Sequence, residues 1–158
     1  MVDAEKIMEL WQEGMHYEEL GDINGALEKY KQAIQIAPTT GYGTSLVWTS
    51  SAGAFRKAGM NDMAVECYKS AVLADDSNDS AYIELIQFLT DLEKYQEAID
   101  YIDKYLVKFP NDDFAWSHKG VLLDILNRPS EARTCLKKVE ELNPNNPQIV
   151  MLKEQGRL

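Results

Sequence analysis

The chain has 158 residues, a hydrophobic fraction of 45% and a formal net charge of −10 at pH 7, as expected for one folded domain or a short array of repeats. The negative charge argues against nucleic acid or an anionic membrane as a partner, because binding to phosphates requires a surface rich in Lys and Arg. No run of about 18 apolar residues occurs, and the first residues lack the profile of a signal peptide, so we expect a cytoplasmic protein.

Four segments of similar pattern follow one another along the chain. They lie at residues 21–30, 59–68, 93–102 and 127–136, and each has an alanine at its sixth position. These alanines are Ala26, Ala64, Ala98 and Ala132. Their spacing matches the period of about 34 residues that is typical of repeats made of a helix, a turn and a second helix. The first interval is the longest, which predicts an irregular connection at residues 40–44, where Gly41 and Gly43 permit it.

The residues around these alanines resemble the tetratricopeptide repeat family. In that family the first helix of each unit, helix A, carries a small residue at its middle, and helix B carries alanines. Gly14, Ala52 and Gly120 match the small position, whereas Ile86 departs from it in the third segment. The resemblance covers roughly residues 4 to 144 and implies an all-α fold, a right-handed superhelical solenoid of four helix-turn-helix units. These units would span about residues 7–40, 45–78, 79–112 and 113–146.

The last residues predict a further helix. In residues 147–158 the apolar Ile149, Val150 and Leu152 stand beside Lys153, Glu154 and Gln155, and this segment is expected to form an amphipathic helix that caps the last unit. Because each unit in such an array is stabilised by its neighbours, we expect a single domain over residues 1–158.

Several polar residues and prolines are placed as signals of helix ends. The candidate N-caps are Asp3, Asp22, Asn61 and Asp79. Pro129 and Pro147 suit the first turn of a helix, and the prolines expected to end units are Pro38, Pro110 and Pro144.

The resemblance also implies where a ligand would bind, since helix A lines the concave surface in this family. Carried over position by position, the candidate groove residues are Met8, Trp11, Gln12, Met15, Leu46, Thr49, Ser50, Arg56, Ile83, Glu84, Gln87, Phe114, Ser117, His118, Val121 and Ile125. This set is more apolar than a solvated face requires, which indicates a groove for an apolar or amphipathic peptide segment. The alternative is that half of these side chains are core residues that pack between adjacent helices.

One well-known ligand of the family is not expected here. Some members hold the C-terminal carboxylates of heat-shock chaperones with Lys, Asn and Arg from successive A helices. The corresponding residues of this chain lack those basic donors, and Glu84 would repel a carboxylate. They are Met8, Gln12, Ser50, Ser80 and Glu84.

No catalytic, cofactor or metal site is predicted. The sequence contains no GxSxG, GxxxxGKS/T or GxGxxG motif. Cys67 and Cys135 lack CxxC spacing and are expected to be buried. His16 is expected on a helix surface, whereas His118 is a candidate polar contact of the groove.

Two acidic pairs, at residues 75–76 and 112–113, are interpreted as caps and turns, because they lack the spacing of a Ca²⁺ loop.

The sequence therefore predicts a non-enzymatic protein-protein interaction module that acts as an adaptor or scaffold. The alternative is a structural module for homo-oligomerisation, in which Trp11, Leu46 and Phe114 would be buried against another copy. The partner is expected to be a protein or peptide.

Overall fold

The described part of the chain consists of α-helices joined by short turns. The computed structural model describes residues 4–37 and 42–155, with the backbone alone for Tyr42. The helices are α1 (Ala4–Glu19), α2 (Ile23–Ile36), α3 (Tyr42–Lys57), α4 (Asn61–Ala74), α5 (Asp79–Asp91), α6 (Tyr95–Lys108), α7 (Asp113–Ile125), α8 (Pro129–Leu142) and α9 (Pro147–Glu154). No strand occurs in these ranges, so the all-α fold class is confirmed. None of the described helices has the length and apolar composition needed to cross a membrane.

The helices α1, α3, α5 and α7 each end in the same type of tight turn. One residue in each turn has a positive φ, namely 76° at Gly21, 74° at Gly59, 59° at Glu93 and 56° at Asn127. The following amide bonds back to the carbonyl five residues earlier, as in the 2.9 Å bond from Asp22 N to Tyr17 O, which is the Schellman arrangement. Each turn residue precedes one of the repeated alanines by five positions, so the turn geometry repeats with the period of the sequence.

Small residues bring the helices of a pair close together. The repeated alanines are almost completely buried, with exposed fractions of 0% at Ala26, Ala64 and Ala98 and 6% at Ala132. In the first pair, a Cβ added to Gly14 of α1 would lie only 2.5 Å from Cε1 of Tyr30 in α2. The missing side chain therefore leaves the space between α1 and α2 to a large aromatic ring.

The helices form two compact units, and the boundary between them lies inside α5, between Leu85 and Ile86. In the N-terminal unit, α1 packs against α2, α2 against α3 and α3 against α4. In the C-terminal unit, α6 packs against α7, α7 against α8 and α8 against α9. The prediction of a single domain over residues 1–158 stays a prediction.

The sequence signals for helix starts are confirmed in part. Asp22 caps α2, since its Oδ1 accepts a hydrogen bond from Gly25 N at 2.9 Å. Pro129 and Pro147 are the first residues of α8 and α9, as predicted. Asp3 and Pro38, which were expected to cap and to end helices, lie outside the described residues.

Two capping predictions are wrong, because Asn61 and Asp79 are already the first residues of their helices. At α4 the N-cap is Met60, whose amide bonds to Phe55 O at 2.9 Å as part of the preceding turn, and no side chain is needed there. At α5 the side chain of Asn78 takes the capping role, with Oδ1 3.3 Å from Ala81 N.

The extra residues of the first interval lengthen α3 at its start. This helix begins at Tyr42, three residues before Ser45, the residue that is equivalent to the first residue of α5. Ser45 is completely buried; its Oγ donates to Ala71 O at 2.9 Å and accepts from Asn78 Nδ2 at 3.0 Å. These bonds hold an added helical turn in place. The predicted irregular connection is therefore wrong for residues 42–44, and residues 40 and 41 lie outside the described residues.

The predicted capping helix is confirmed as α9 (Pro147–Glu154), while residues 156–158 of the prediction lie outside the described residues. Its Ile149 and Leu152 are buried, and Asn146 caps it by accepting a hydrogen bond from Gln148 N at 3.0 Å. Asp113 at the start of α7 fastens this end, because its Oδ2 accepts from Asn146 Nδ2 at 2.8 Å and from Asn143 Nδ2 at 2.9 Å. The same two bonds, that of Asn146 first, hold the pKa of Asp113 below its usual value.

Candidate functional site

The residues predicted to bind a ligand are divided between the two units. We call the set in the N-terminal unit the N-terminal face: Met8, Trp11, Gln12, Met15, Leu46, Thr49, Ser50, Arg56, Ile83 and Glu84. We call the set in the C-terminal unit the C-terminal face: Gln87, Phe114, Ser117, His118, Val121 and Ile125. Each face is described by itself.

Three apolar side chains of the N-terminal face are exposed. Their exposed fractions are 41% for Met8, 40% for Met15 and 54% for Ile83. Beside Met8 there is an open surface depression of about 360 Å³, lined also by Glu5, Glu9 and Gln12. This part of the face therefore combines flexible thioethers with carboxylates.

Trp11 and Leu46 are both half-buried, so part of each side chain is covered by its own unit. Trp11 packs against a core cluster that includes Ile7 and Leu10, and its Nε1 donates to Ser50 Oγ at 2.8 Å. The tryptophan therefore joins α1 to α3 and has no N–H left to offer a ligand.

The two basic side chains at the end of α3, Arg56 and Lys57, both contact other side chains of the N-terminal unit. Lys57 Nζ lies 2.7 Å from Glu18 Oε1, and the other carboxylate oxygen of Glu18 accepts a 2.6 Å hydrogen bond from the hydroxyl of Tyr30. Arg56 and Glu84 both hydrogen bond with Tyr68, whose pKa is raised to about 12 by burial and by the charge of Glu84. These side chains therefore take part in contacts within the N-terminal unit.

The C-terminal face contains an exposed apolar stripe along α7. The exposed fractions are 72% for Phe114, 43% for Val121 and 54% for Ile125. Since these residues are seven and four positions apart, they lie on one side of the helix. An open depression of about 460 Å³ adjoins Phe114 and is lined also by Tyr105, Phe109 and Pro110. The depression is also lined by the polar residues 111–113, so the apolar contact surface consists of the stripe and the aromatic side of the depression.

His118 lies half-buried in the middle of this stripe. Its Nε2 is 3.3 Å from Thr90 Oγ1, while the hydroxyl of Thr90 donates its single proton to Ile86 O at 2.8 Å. The threonine oxygen is therefore left as an acceptor, which assigns the imidazole proton to Nε2. Burial lowers the pKa of His118 and so favours the neutral ring.

Two residues of α9 extend the C-terminal face and were missed in the sequence analysis. The side chain of Gln148 is hydrogen bonded to that of Ser117. Met151 lies one turn further along α9 and is 47% exposed. Gln148 and Met151 follow Phe114 and Ser117 by one full period of the repeat, so the same period, continued by one step, would have identified them.

The described residues offer little for other kinds of site. Residues 4–37 and 42–155 contain no group of three or more His, Cys, Asp or Glu side chains arranged to hold a metal ion. Both cysteines are buried as predicted, and burial raises the pKa of the Cys67 thiol to about 12. His16 is on the surface, 3.9 Å from Glu19.

The acidic pairs lie at helix ends as predicted. Asp75 is the C-cap of α4, and its Oδ1 accepts from Ser77 N at 3.1 Å. Asp112 is the N-cap of α7 and accepts from Ala115 N at 2.9 Å. These carboxylates therefore have structural roles.

Comparison with known families identifies the same repeat in most of the chain. One family model described as tetratricopeptide repeat matches residues 52–113, and a second with the same description matches residues 10–40 and 115–146.

Two curated relatives also carry this repeat in their names. The chain is 28% identical over 111 residues to small glutamine-rich tetratricopeptide repeat-containing protein 2 of Mycosarcoma maydis, covering 70% of this chain and 30% of the relative. It is 38% identical over 61 residues to TPR repeat-containing protein MJ0263 of Methanocaldococcus jannaschii, covering 39% and 18%. The chain therefore spans less than a third of the length of either relative.

Solved structures share the fold at low sequence identity. A tetratricopeptide repeat protein from Parabacteroides merdae has a TM-score of 0.73 at 21% identity, covering 90% of this chain and 55% of that one. MamA has a TM-score of 0.69 at 18% identity, covering 90% and 81%. YrrB, described as a TPR protein with an unusual peptide-binding site, has a TM-score of 0.68 at 14% identity, covering 96% and 76%.

Proposed function

Because the chain belongs to the tetratricopeptide repeat family, we propose that it is a non-enzymatic interaction module that binds an apolar or amphipathic peptide segment as an adaptor or scaffold. The observation that carries this proposal is the exposed stripe of Phe114, Val121 and Ile125 on α7. A folded chain gains little stability from large apolar side chains that remain in water, whereas a partner that covers them gains from their burial.

The surroundings of the stripe support a peptide rather than a small charged ligand. The depression beside Phe114 is open to solvent and is lined by aromatic residues and a proline together with polar residues that include Asp112 and Asp113, which suits an inserted side chain of a longer segment. The peptide-binding site attributed to YrrB is a further point in favour, since its fold is similar.

The N-terminal face contributes a second contact in this proposal. Met8, Met15 and Ile83 supply its exposed apolar area, while Trp11 holds α1 to α3. Methionine side chains adapt their shape to different ligands at low cost in strain. Truncation of Trp11 would therefore disturb folding as well as binding, which makes it a poor test residue.

The experiment begins with a phage-displayed library of random dodecapeptides selected on the full chain. Enriched peptides are then synthesised with a fluorophore, and their affinity is measured by anisotropy. The test variant combines Phe114→Ala, Val121→Ala and Ile125→Ala. The matched control is Val107→Ala together with Leu73→Ala, because these apolar residues are 82% and 78% exposed but belong to the second helices of their pairs.

The proposal requires that the test variant lose at least about tenfold in affinity, since each exposed apolar contact contributes on the order of 1 kcal/mol, and that the control bind like the wild type. If no peptide is enriched, or if the control loses as much as the test variant, the proposal is refuted. Sedimentation of the unliganded chain examines the alternative of homo-oligomerisation, which requires a mass that rises with concentration.

A further inference from the structure

The charged side chains around the C-terminal face are mainly acidic. Asp91 stands at the end of α5 and Asp124 near the end of α7, and both are exposed. Asp124 follows Val121 by three positions and precedes Ile125, so it lies at the edge of the apolar stripe. Asp91 precedes Ile125 by one full period of the repeat and therefore occupies the equivalent position of α5. Its Oδ1 accepts a hydrogen bond from Gln87 Nε2 at 3.1 Å.

The same helix surfaces carry few basic side chains. Residues 86–91 contain no Lys or Arg, and α7 contains Lys119 alone. Lys119 points to α6, where its Nζ is 2.5 Å from Asp103 Oδ1. His118, the other nitrogen base of α7, is half-buried and bonded to Thr90.

Two basic residues that flank this face, Arg128 before α8 and Lys153 of α9, are engaged in ion pairs. Arg128 forms an ion pair with Glu131 at 2.7 Å, and Lys153 forms one with Glu140 at 2.7 Å. Residues 86–91, α7 and α9 together contain more acidic than basic side chains, so the charge that a ligand on the stripe would meet is negative on balance.

We propose that the C-terminal face, extended by Met151 of α9, takes a basic amphipathic segment whose apolar side chains cover Phe114, Val121 and Ile125 and whose Lys or Arg residues lie beside Asp91 and Asp124. This inference rests on the proposed function and adds the chemical class of the ligand. The occupant follows from charge complementarity, because an acidic segment would meet like charge at the edge of the contact, whereas a basic one meets opposite charge.

Met151 gives the surface a second wall. It is 47% exposed, while Ile149 and Leu152 on the same helix are buried and fix the rotation of α9. The contact between Gln148 and Ser117 places this part of α9 next to the stripe. An apolar side chain of the ligand that covers Val121 or Phe114 would therefore also contact Met151.

The test uses the peptides enriched on the wild-type chain and synthetic versions in which each Lys and Arg is replaced by Gln. Affinities are measured by fluorescence anisotropy for the wild type and for the double variant Asp91→Asn and Asp124→Asn. Asp100→Asn is the control for net charge and is compared with the single variants Asp91→Asn and Asp124→Asn, which also remove one charge; Asp100 is an exposed carboxylate on α6 in the same unit. Met151→Ala examines the second wall.

We expect the enriched peptides to carry more Lys and Arg than the unselected library. The double variant should weaken binding of the original peptides by about three- to tenfold, as is usual for two exposed ion pairs, and leave the Gln versions unchanged. Raising the salt concentration from about 50 to about 500 mM should have a similar effect. Met151→Ala should weaken both kinds of peptide.

The outcomes separate this inference from the proposed function. Enriched peptides that are apolar without added basic residues, and that bind the double variant as well as the wild type, would overturn the inference and leave the proposed function standing. An equal loss with Asp100→Asn would show a general effect of charge and would also overturn it. A selection that enriches nothing would remove both.

Discussion

Substitution of Gly14 by alanine gives the sharpest test of how the repeats pack. An alanine Cβ would lie 2.5 Å from Cε1, 2.7 Å from Cδ1 and 2.9 Å from Cζ of Tyr30. The ring is completely buried, and its hydroxyl is bonded to Glu18, so it cannot rotate away freely. Alanine favours the helix by about 1 kcal/mol over glycine, whereas overpacking of this kind costs roughly 1–3 kcal/mol.

A weakened hydrogen bond between Tyr30 and the Glu18 carboxylate adds to the loss, since bonds to charged groups contribute about 1.5–3 kcal/mol. We therefore expect Gly14→Ala to lower the free energy of unfolding by about 1–3 kcal/mol in net terms. For a chain of this size, that corresponds to a decrease of roughly 3–10 °C in the thermal midpoint.

Gly53 of α3 provides the matched control. A Cβ added there would meet nothing within 4 Å, so Gly53→Ala should raise the free energy of unfolding by about 0.5–1 kcal/mol through helix propensity alone. Urea unfolding followed by circular dichroism measures both variants. If Gly14→Ala is as stable as Gly53→Ala, the reasoning from the close approach of α1 and α2 is wrong.

Four further outcomes follow from the structure. Glu93→Gly should raise the free energy of unfolding by about 1 kcal/mol, since Glu93 has a φ of 59°, and urea titration measures the change. Asp113→Ala should lower it by about 1–3 kcal/mol and speed amide exchange in α9, because buried Asn146 loses an acceptor. Burial sets the pKa of His118 in the folded chain below the unfolded value of 6.5, so the free energy of unfolding should be highest above pH 6.5 and should fall as the pH is lowered from there through the folded pKa. His118→Gln should reduce this pH dependence, measured as the change of the thermal midpoint with pH. Cys67, whose pKa is about 12, should resist a thiol reagent at pH 8 until denaturant is added.

Each of these expectations has a contradicting result. Loss of stability in Glu93→Gly would mean that its side chain stabilises the turn. Unchanged exchange in α9 of Asp113→Ala would show that the buried apolar residues alone hold this helix. If the thermal midpoint of His118→Gln still falls with decreasing pH, a group other than His118 takes up the proton on unfolding. Fast labelling of native Cys67 would show that the thiol is accessible.

The period of the fold could be predicted from sequence because it depends on local chemistry. Alanine recurs where helices touch, and Gly21 and Gly59 mark turns that need a positive φ. Glu93 and Asn127 occupy equivalent turns, and Asn tolerates this conformation better than Glu does. A turn at Glu93 can be inferred only from the period, because glutamate is not a residue that favours a positive φ.

The candidate site was less predictable, since a position on a helix gives the direction of a side chain and leaves open what covers it. Phe114 and Trp11 both face the predicted groove by position. Phe114 is 72% exposed, whereas Trp11 is half-buried because it packs against the core cluster and bonds to Ser50 of α3. Such contacts join residues 39 positions apart and cannot be inferred from spacing alone.

The exposed stripe of α7 has a consequence for the evolution of the chain. The buried alanines and the ring of Tyr30 determine whether the helices assemble, while Phe114, Val121 and Ile125 leave much of their surface in water. Under the proposed function, substitutions at the stripe would change what the molecule recognises with little effect on whether it folds. Selection could then exchange one ligand for another by altering three side chains on an unchanged scaffold.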